Sequence, residues 1–165
     1  MKAGVFAGAA IAVLALAWPS LAMAADQEFT EILLEKVVNR TPDQVWAKVG
    51  PYCSISEWLN APCRITQGNG VSVGTNRQLR GTIDEVMVAR TEHSYTYAQS
   101  TSPIYYHGTL AVEPMDRGRK TKIVYSLFYD VAKLTTPAAR QADRRQRTEH
   151  FSQALDKMKD MAEAQ

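Results

Sequence analysis

The chain has 165 residues, of which 45% are hydrophobic and 22% charged, and a formal net charge of +2. That length holds one domain with a core of its own, and the balance excludes a disordered, highly charged chain. A charge this small also excludes the strongly basic surface of a nucleic-acid binder.

Residues 1–24 read as an export signal. Lys2 gives a positive start, Val5 to Leu16 a short apolar run, Trp18-Pro19 a break, and Ala22-Met23-Ala24 a small-residue cleavage site. The apolar run is shorter than the ~20 residues of a membrane span, so a retained anchor fits less well. Cleavage after Ala24 would leave a chain starting at Ala25, with no span. Residues 25–165 then form one domain, without repeats, low-complexity tracts or a linker.

Glu28 to Asn39 alternates, with Thr30, Ile32, Leu34, Lys36 and Val38 on one side, and predicts a strand. Thr41-Pro42-Asp43 predicts a helix start: Thr41 caps, Pro42 suits the first turn and Asp43 sits at the positive end of the dipole. Val45, Trp46 and Val49 give it an apolar face, and Gly50-Pro51 stops it. Ser54 opens a second short turn carrying Ile55, Trp58 and Leu59. Further strands are predicted at Arg64–Gln67, Thr75–Leu79, Ile83–Arg90, Ser94–Gln99, Tyr105–Glu113 and Thr121–Val131. Gly68-Asn69-Gly70 signals a hairpin, and Gly81 marks another turn. About seven strands joined by short loops make an antiparallel meander. Thr136-Pro137 starts a last, long helix. Its stripe of Phe151, Leu155, Met158 and Ala162 turns polar when traced back through Thr148 and Arg144. The C-terminal half is expected on the sheet, and the first half over a wetter opening.

Cys53 and Cys63 are the two cysteines. In an exported chain they invite a disulfide tying the short helices to the start of the second strand. Two buried free thiols are the alternative. Cys-x9-Cys is not a redox spacing, and no histidine cluster supports zinc. The glycines at 68, 70 and 74 fit no phosphate-loop pattern and read as turn residues. His93, His107 and His150 lie in different elements, so no catalytic or metal-binding set is assigned, and no cofactor.

Tyr95 and Tyr97 share one strand face, as do Tyr125 and Tyr129, and Tyr106 is in phase with Gly108, Leu110 and Val112. Plain core packing is one reading. A buried tyrosine hydroxyl needs a partner, however, so several inward tyrosines suit a cavity with water or a polar-headed molecule better than a dry core. Glu85 is in phase with Ile83, Met87 and Ala89. It would hold a cation, hydroxyl or water, or close a salt bridge at the barrel rim. Arg140, Arg144, Arg145 and Arg147 make the last helix basic at its start, either as a solvated face or as an anion-docking patch.

Taken in order, several pieces resemble the SRPBCC superfamily of START lipid-binding domains, polyketide cyclases and plant allergen and hormone-receptor proteins. They are Val45-Trp46 before Gly50, the Ser54-to-Trp58 turn, Gly74-Thr75-x-Arg77-x-Leu79 and Thr82-Ile83-x-Glu85. Further along come Tyr95-x-Tyr97, Ser102-Pro103-Ile104, Tyr106-x-x-Thr109-Leu110 and Val124-Tyr125-Ser126-x-x-Tyr129-Asp130. Bacterial polyketide cyclase/dehydrase members are the nearest in kind. Tyr125 and Tyr129 stand where Trp and Phe are more usual, and the Ser102–Tyr106 loop is short, which bears on pocket shape.

The resemblance implies an α+β helix-grip fold. A curved antiparallel sheet of about seven strands would wrap the long C-terminal helix over an apolar cavity, with two short helices after strand one. It also implies that Glu85 and Tyr106 line the pocket, as their counterparts do in the plant receptors. With strand parity it places Tyr95, Tyr97, Tyr125 and Tyr129 on the same concave face, and Trp58 at the entrance. The expected function is a periplasmic or secreted binding protein for a small hydrophobic or amphipathic molecule. The alternatives are a cyclase/dehydrase-type enzyme, in which Glu85 or a tyrosine moves protons, and an accessory protein of periplasmic oxidation. If Glu85 were buried without a partner, neutralising it would stabilise the empty protein.

Overall fold

The computed structural model describes residues 27–164. The expected signal, its cleavage after Ala24 and the Ala25 start lie outside the described residues.

Phe29–Val38 forms β1. Thr41 then caps α1 (Pro42–Val49): its hydroxyl accepts from the Gln44 N–H, and the Gln44 side chain accepts from the Thr41 N–H. Val45 and Val49 are buried, and the Trp46 indole folds back over Gly50. A Cβ at Gly50 would lie 2.7 Å from the Trp46 carbonyl oxygen and closer still to the indole. Gly50 therefore ends the helix and makes room for the ring. The single turn α2 (Ile55–Trp58) follows.

Six strands come next: β2 (Cys63–Gln67), β3 (Asn76–Leu79), β4 (Ile83–Thr91), β5 (Ser94–Gln99), β6 (His107–Met115) and β7 (Lys120–Asp130). They form one antiparallel sheet in the order β1-β7-β6-β5-β4-β3-β2. The meander is as expected, with local differences. Asn69-Gly70 is not a tight turn. The Asn69 side-chain oxygen instead accepts from the N–H groups of Val71 and Ser72 inside the longer loop 68–75, where Gly68, Gly70 and Gly74 take positive φ. β6 starts at His107, so Tyr106 precedes the strand, although its carbonyl still accepts from Gln99 N–H at 2.9 Å. The β4–β5 register shifts between Met87 and Ala89. This bulge turns Ala89 out to solvent, off the Glu85 face on which strict alternation would place it.

The last helix, α3 (Pro137–Glu163), carries a Thr136 cap. Phe151, Leu155, Met158 and Ala162 are all buried, with Ala154 beside them. The helix is strapped to the β1 edge: Lys159 donates to the Val37 carbonyl at 3.0 Å, and Arg40 to the Glu163 carbonyl at 2.9 Å. The first bond satisfies a carbonyl of an edge that would otherwise pair with another chain, and the second a carbonyl at the end of the helix. Cys53 and Cys63 are disulfide-bonded with Cα atoms 5.4 Å apart, tying the segment before α2 to the first residue of β2. Among the described residues, no helix is long and apolar enough to cross a membrane. The fold is α+β, a curved seven-stranded antiparallel sheet gripping one long helix.

Candidate functional site

The β3–β4 hairpin turns about Gly81 and sets Leu79 opposite Ile83 and Arg77 opposite Glu85. Period two sends Thr75, Arg77 and Leu79 inward together. Arg77 and Glu85 are therefore fully buried side by side. Arg77 Nε donates to Glu85 Oε2 at 2.8 Å, and a terminal nitrogen lies 2.7 Å from the same oxygen. The other terminal nitrogen donates to the Tyr52 carbonyl. Gln99 donates to Glu85 Oε1 at 3.1 Å, so both carboxylate oxygens are engaged. The guanidinium carbon lies 4.1 Å from the Tyr52 ring centre and 5.0 Å from that of Tyr97. Burial by itself lowers the Arg77 pKa, but the fields of Tyr95 and Glu85 outweigh it and hold the pKa above its ordinary value. This overturns the expected gain from neutralising Glu85: the carboxylate is buried but paired, and removing its charge would strand Arg77.

The tyrosines form a second, connected layer. The Tyr97 and Tyr125 hydroxyls lie 2.8 Å apart. Tyr97 fits because position 108 is glycine: a Cβ there would lie 2.7 Å from Tyr97 Cε1 and closer still to Cζ and the hydroxyl. Tyr129 donates to Asp143 at 2.6 Å, and Arg147 Nε reaches both oxygens of Asp143 at 3.1 Å. The Arg147 guanidinium also lies 4.3 Å from the Tyr129 ring centre and 5.4 Å from that of Tyr106. Burial pushes the Tyr106 phenol up to about 12 and those of Tyr97 and Tyr125 well above the ordinary value. These groups are hydrogen-bond donors at neutral pH, not bases.

A groove of about 400 Å³ opens between α2, the β3–β5 strands and α3. Glu85, Tyr97 and Tyr106 line it, with Leu59, Ile104 and Phe151 among the apolar walls and Arg147 and His150 from the helix. The structure thus brings three of the seven expected ligand residues to one opening. Tyr125 is buried and does not line it. Tyr95 lines a different hollow of about 390 Å³, between the end of α1 and the loop 68–75. Tyr129 borders a third hollow of about 270 Å³ with Glu28, Arg140 and Arg144. Trp58 is not at an entrance. It is 3% exposed, edge-on to Tyr125 at 6.0 Å, and its indole N–H has no partner. Ile55 and Trp58, three apart on one turn, both point into the core, and the disulfide holds that turn close to the sheet.

Sequence reading missed Tyr52, Asp143 and the pairing role of Arg77. The Arg77 signal was present: with the hairpin centred on Gly81, residues 77 and 85 are equidistant from it and must face each other. Tyr52 gave no signal, since it lies in no regular element.

A family model described as "Polyketide cyclase / dehydrase and lipid transport" matches residues 30–163. No curated protein matches the chain. Among solved structures, a protein from Nitrosospira multiformis is similar at 20% identity and a TM-score of 0.65, over 80% of this chain and 96% of that one. A protein from Thermobifida fusca is similar at 19% identity and 0.67, over 80% and 92%. Truncated norcoclaurine synthase from Thalictrum flavum is similar at 19% and 0.63, over 84% and 96%. At such identities the likeness speaks for the fold alone.

Proposed function

The chain belongs to the polyketide cyclase / dehydrase and lipid transport family, and from that premise we propose that it is an exported binding protein for a small apolar or amphipathic molecule. The observation that carries this reading is the groove of about 400 Å³ walled by Leu59, Ile104 and Phe151, with a few polar groups converging on it. Apolar walls with sparse polar groups are what a small-molecule site needs. Glu85, Tyr97 and Tyr106 touch the ligand in this proposal. Tyr125 and Trp58 act through the shape of the packed core behind them, whereas Tyr95 and Tyr129 border other hollows. Removal of residues 1–24 and a periplasmic or secreted destination belong to the same reading. The Cys53–Cys63 bond supports it, because structural disulfides persist in oxidising compartments.

A second reading is an enzyme, since the family description covers cyclases and dehydrases and norcoclaurine synthase shares the fold. It has less support at Glu85, whose two oxygens are already held by Arg77 and Gln99. An accessory role in periplasmic oxidation would instead show as a co-purifying protein.

Native mass spectrometry of the protein taken from the exported fraction of its own host tests the proposal. A retained small molecule that survives incubation unchanged supports binding. Conversion of that molecule supports the enzyme. An empty protein that also fails to take up an apolar reporter dye would remove the binding reading.

A further inference from the structure

Among the groove's lining residues are one carboxylate, Glu85, and two guanidiniums, Arg80 and Arg147. Two carboxylates lie at the groove or beside it, Glu85 and Asp143, and each is paired: Glu85 with Arg77 at 2.7 Å, Asp143 with Arg147 at 3.1 Å. Arg80 lines the groove from the β3–β4 turn. Arg80 forms no salt bridge among the described residues. Its backbone is anchored by an N–H bond to the Pro62 carbonyl at 2.8 Å, so the base of this side chain is fixed at the rim. One turn before Arg147 on α3, Arg144 also forms no salt bridge among the described residues and donates to the Glu31 carbonyl. Arg144 borders the neighbouring hollow with Glu28 and Arg140, so Arg80 is, among this groove's lining residues, the guanidinium without a carboxylate partner.

Resting on the binding reading above, we propose that the ligand is a single-chain amphiphile whose polar end is an anion, a carboxylate or a phosphate monoester, held at the mouth by Arg80. A guanidinium fork matches either oxyanion, and at an exposed rim it docks the headgroup without the cost of burying an unpaired charge. The tail lies against Leu59, Ile104 and Phe151. A groove of about 400 Å³ is at the small end of ligand sites, which suits one short chain better than a two-chain lipid.

Decanoate, decyl phosphate, decanol and decyltrimethylammonium share one tail and differ in headgroup. Their affinities, measured by displacement of an apolar dye, test the proposal. Decanoate or decyl phosphate should bind at least tenfold tighter than decanol, the tighter of the two naming the headgroup, and the cationic probe should bind weakest. Arg80→Gln should abolish that preference and leave decanol unchanged, whereas Arg80→Lys should keep most of it. Equal binding of decanol and both anions, or a preference that survives Arg80→Gln, overturns the headgroup assignment while the cavity stands. Failure of all four probes overturns the cavity reading as well.

Discussion

At the scale of single residues, the buried Arg77–Glu85 pair decides how the interior responds to mutation. Glu85→Gln leaves the Arg77 guanidinium 0% exposed without a counter-charge. Breaking a buried pair from one side costs about 3–5 kcal/mol, whereas replacing both partners by apolar residues is often neutral or better. Denaturant unfolding should therefore show a large loss for Glu85→Gln and a smaller one for Arg77→Met combined with Glu85→Leu. Equal losses would mean that the pair contributes through shape alone. Gly108 is the other sensitive position. The overlap of an added Cβ with the Tyr97 ring predicts a loss of about 1–3 kcal/mol for Gly108→Ala, read from its unfolding midpoint. Tyr106→Phe differs from both. It removes a hydroxyl at the groove surface, so it should change dye affinity while costing only about 1 kcal/mol of stability or less.

At the scale of elements, α2 is the part least able to stand alone. One turn of helix does not persist in water, so its position comes from Ile55, Trp58 and the Cys53–Cys63 bond. Closing a loop of this length is worth about 3 kcal/mol in the chain-entropy model. Cys53→Ser with Cys63→Ser should lower stability by about that amount. It should also shift Trp58 fluorescence, because the indole loses its fixed place against Tyr125. A stability unchanged by the double substitution or by reductant would mean that packing alone holds the turn.

At the scale of the whole molecule, the tyrosine layer couples stability to alkaline pH. Tyr52, Tyr95, Tyr97, Tyr106, Tyr125 and Tyr129 all have pKa values raised above 10.0, in each case chiefly by burial. Between pH 10 and the folded-state values, the native protein holds more protons than the unfolded chain. Stability therefore falls as pH rises from about 9 through that window, and these groups leave it unchanged at neutral pH. Tyr106, at about 12 when folded, contributes roughly 3 kcal/mol to that loss by itself. Unfolding free energies at pH 8, 10 and 11 should decline modestly across the first interval, where the unfolded phenols begin to ionise, and steeply across the second, and phenolate absorbance of the buried tyrosines should appear together with unfolding. Phenolate absorbance rising before the fold is lost would show that the layer is open to water.

The sequence by itself determined the elements and their order. Alternation in β1 and β5, the Thr41 and Thr136 caps and the Phe151–Ala162 stripe are local patterns, and backbone geometry translates them directly into strands and helices. The family resemblance then closed the sheet around α3. Strand parity carried Tyr97, Tyr106 and Glu85 to the concave face correctly, because side chains must alternate. It failed at Ala89, where a bulge breaks the count. Only the tertiary structure decided which inward residues share an opening. Tyr95 faces another hollow, Trp58 is sealed in the core, and the salt bridge weighed for Glu85 forms with Arg77, buried and not at the rim. Those outcomes depend on distances between residues far apart in the chain, on the volume each ring displaces, and on the need of every buried charge for a partner. No single segment of sequence encodes them.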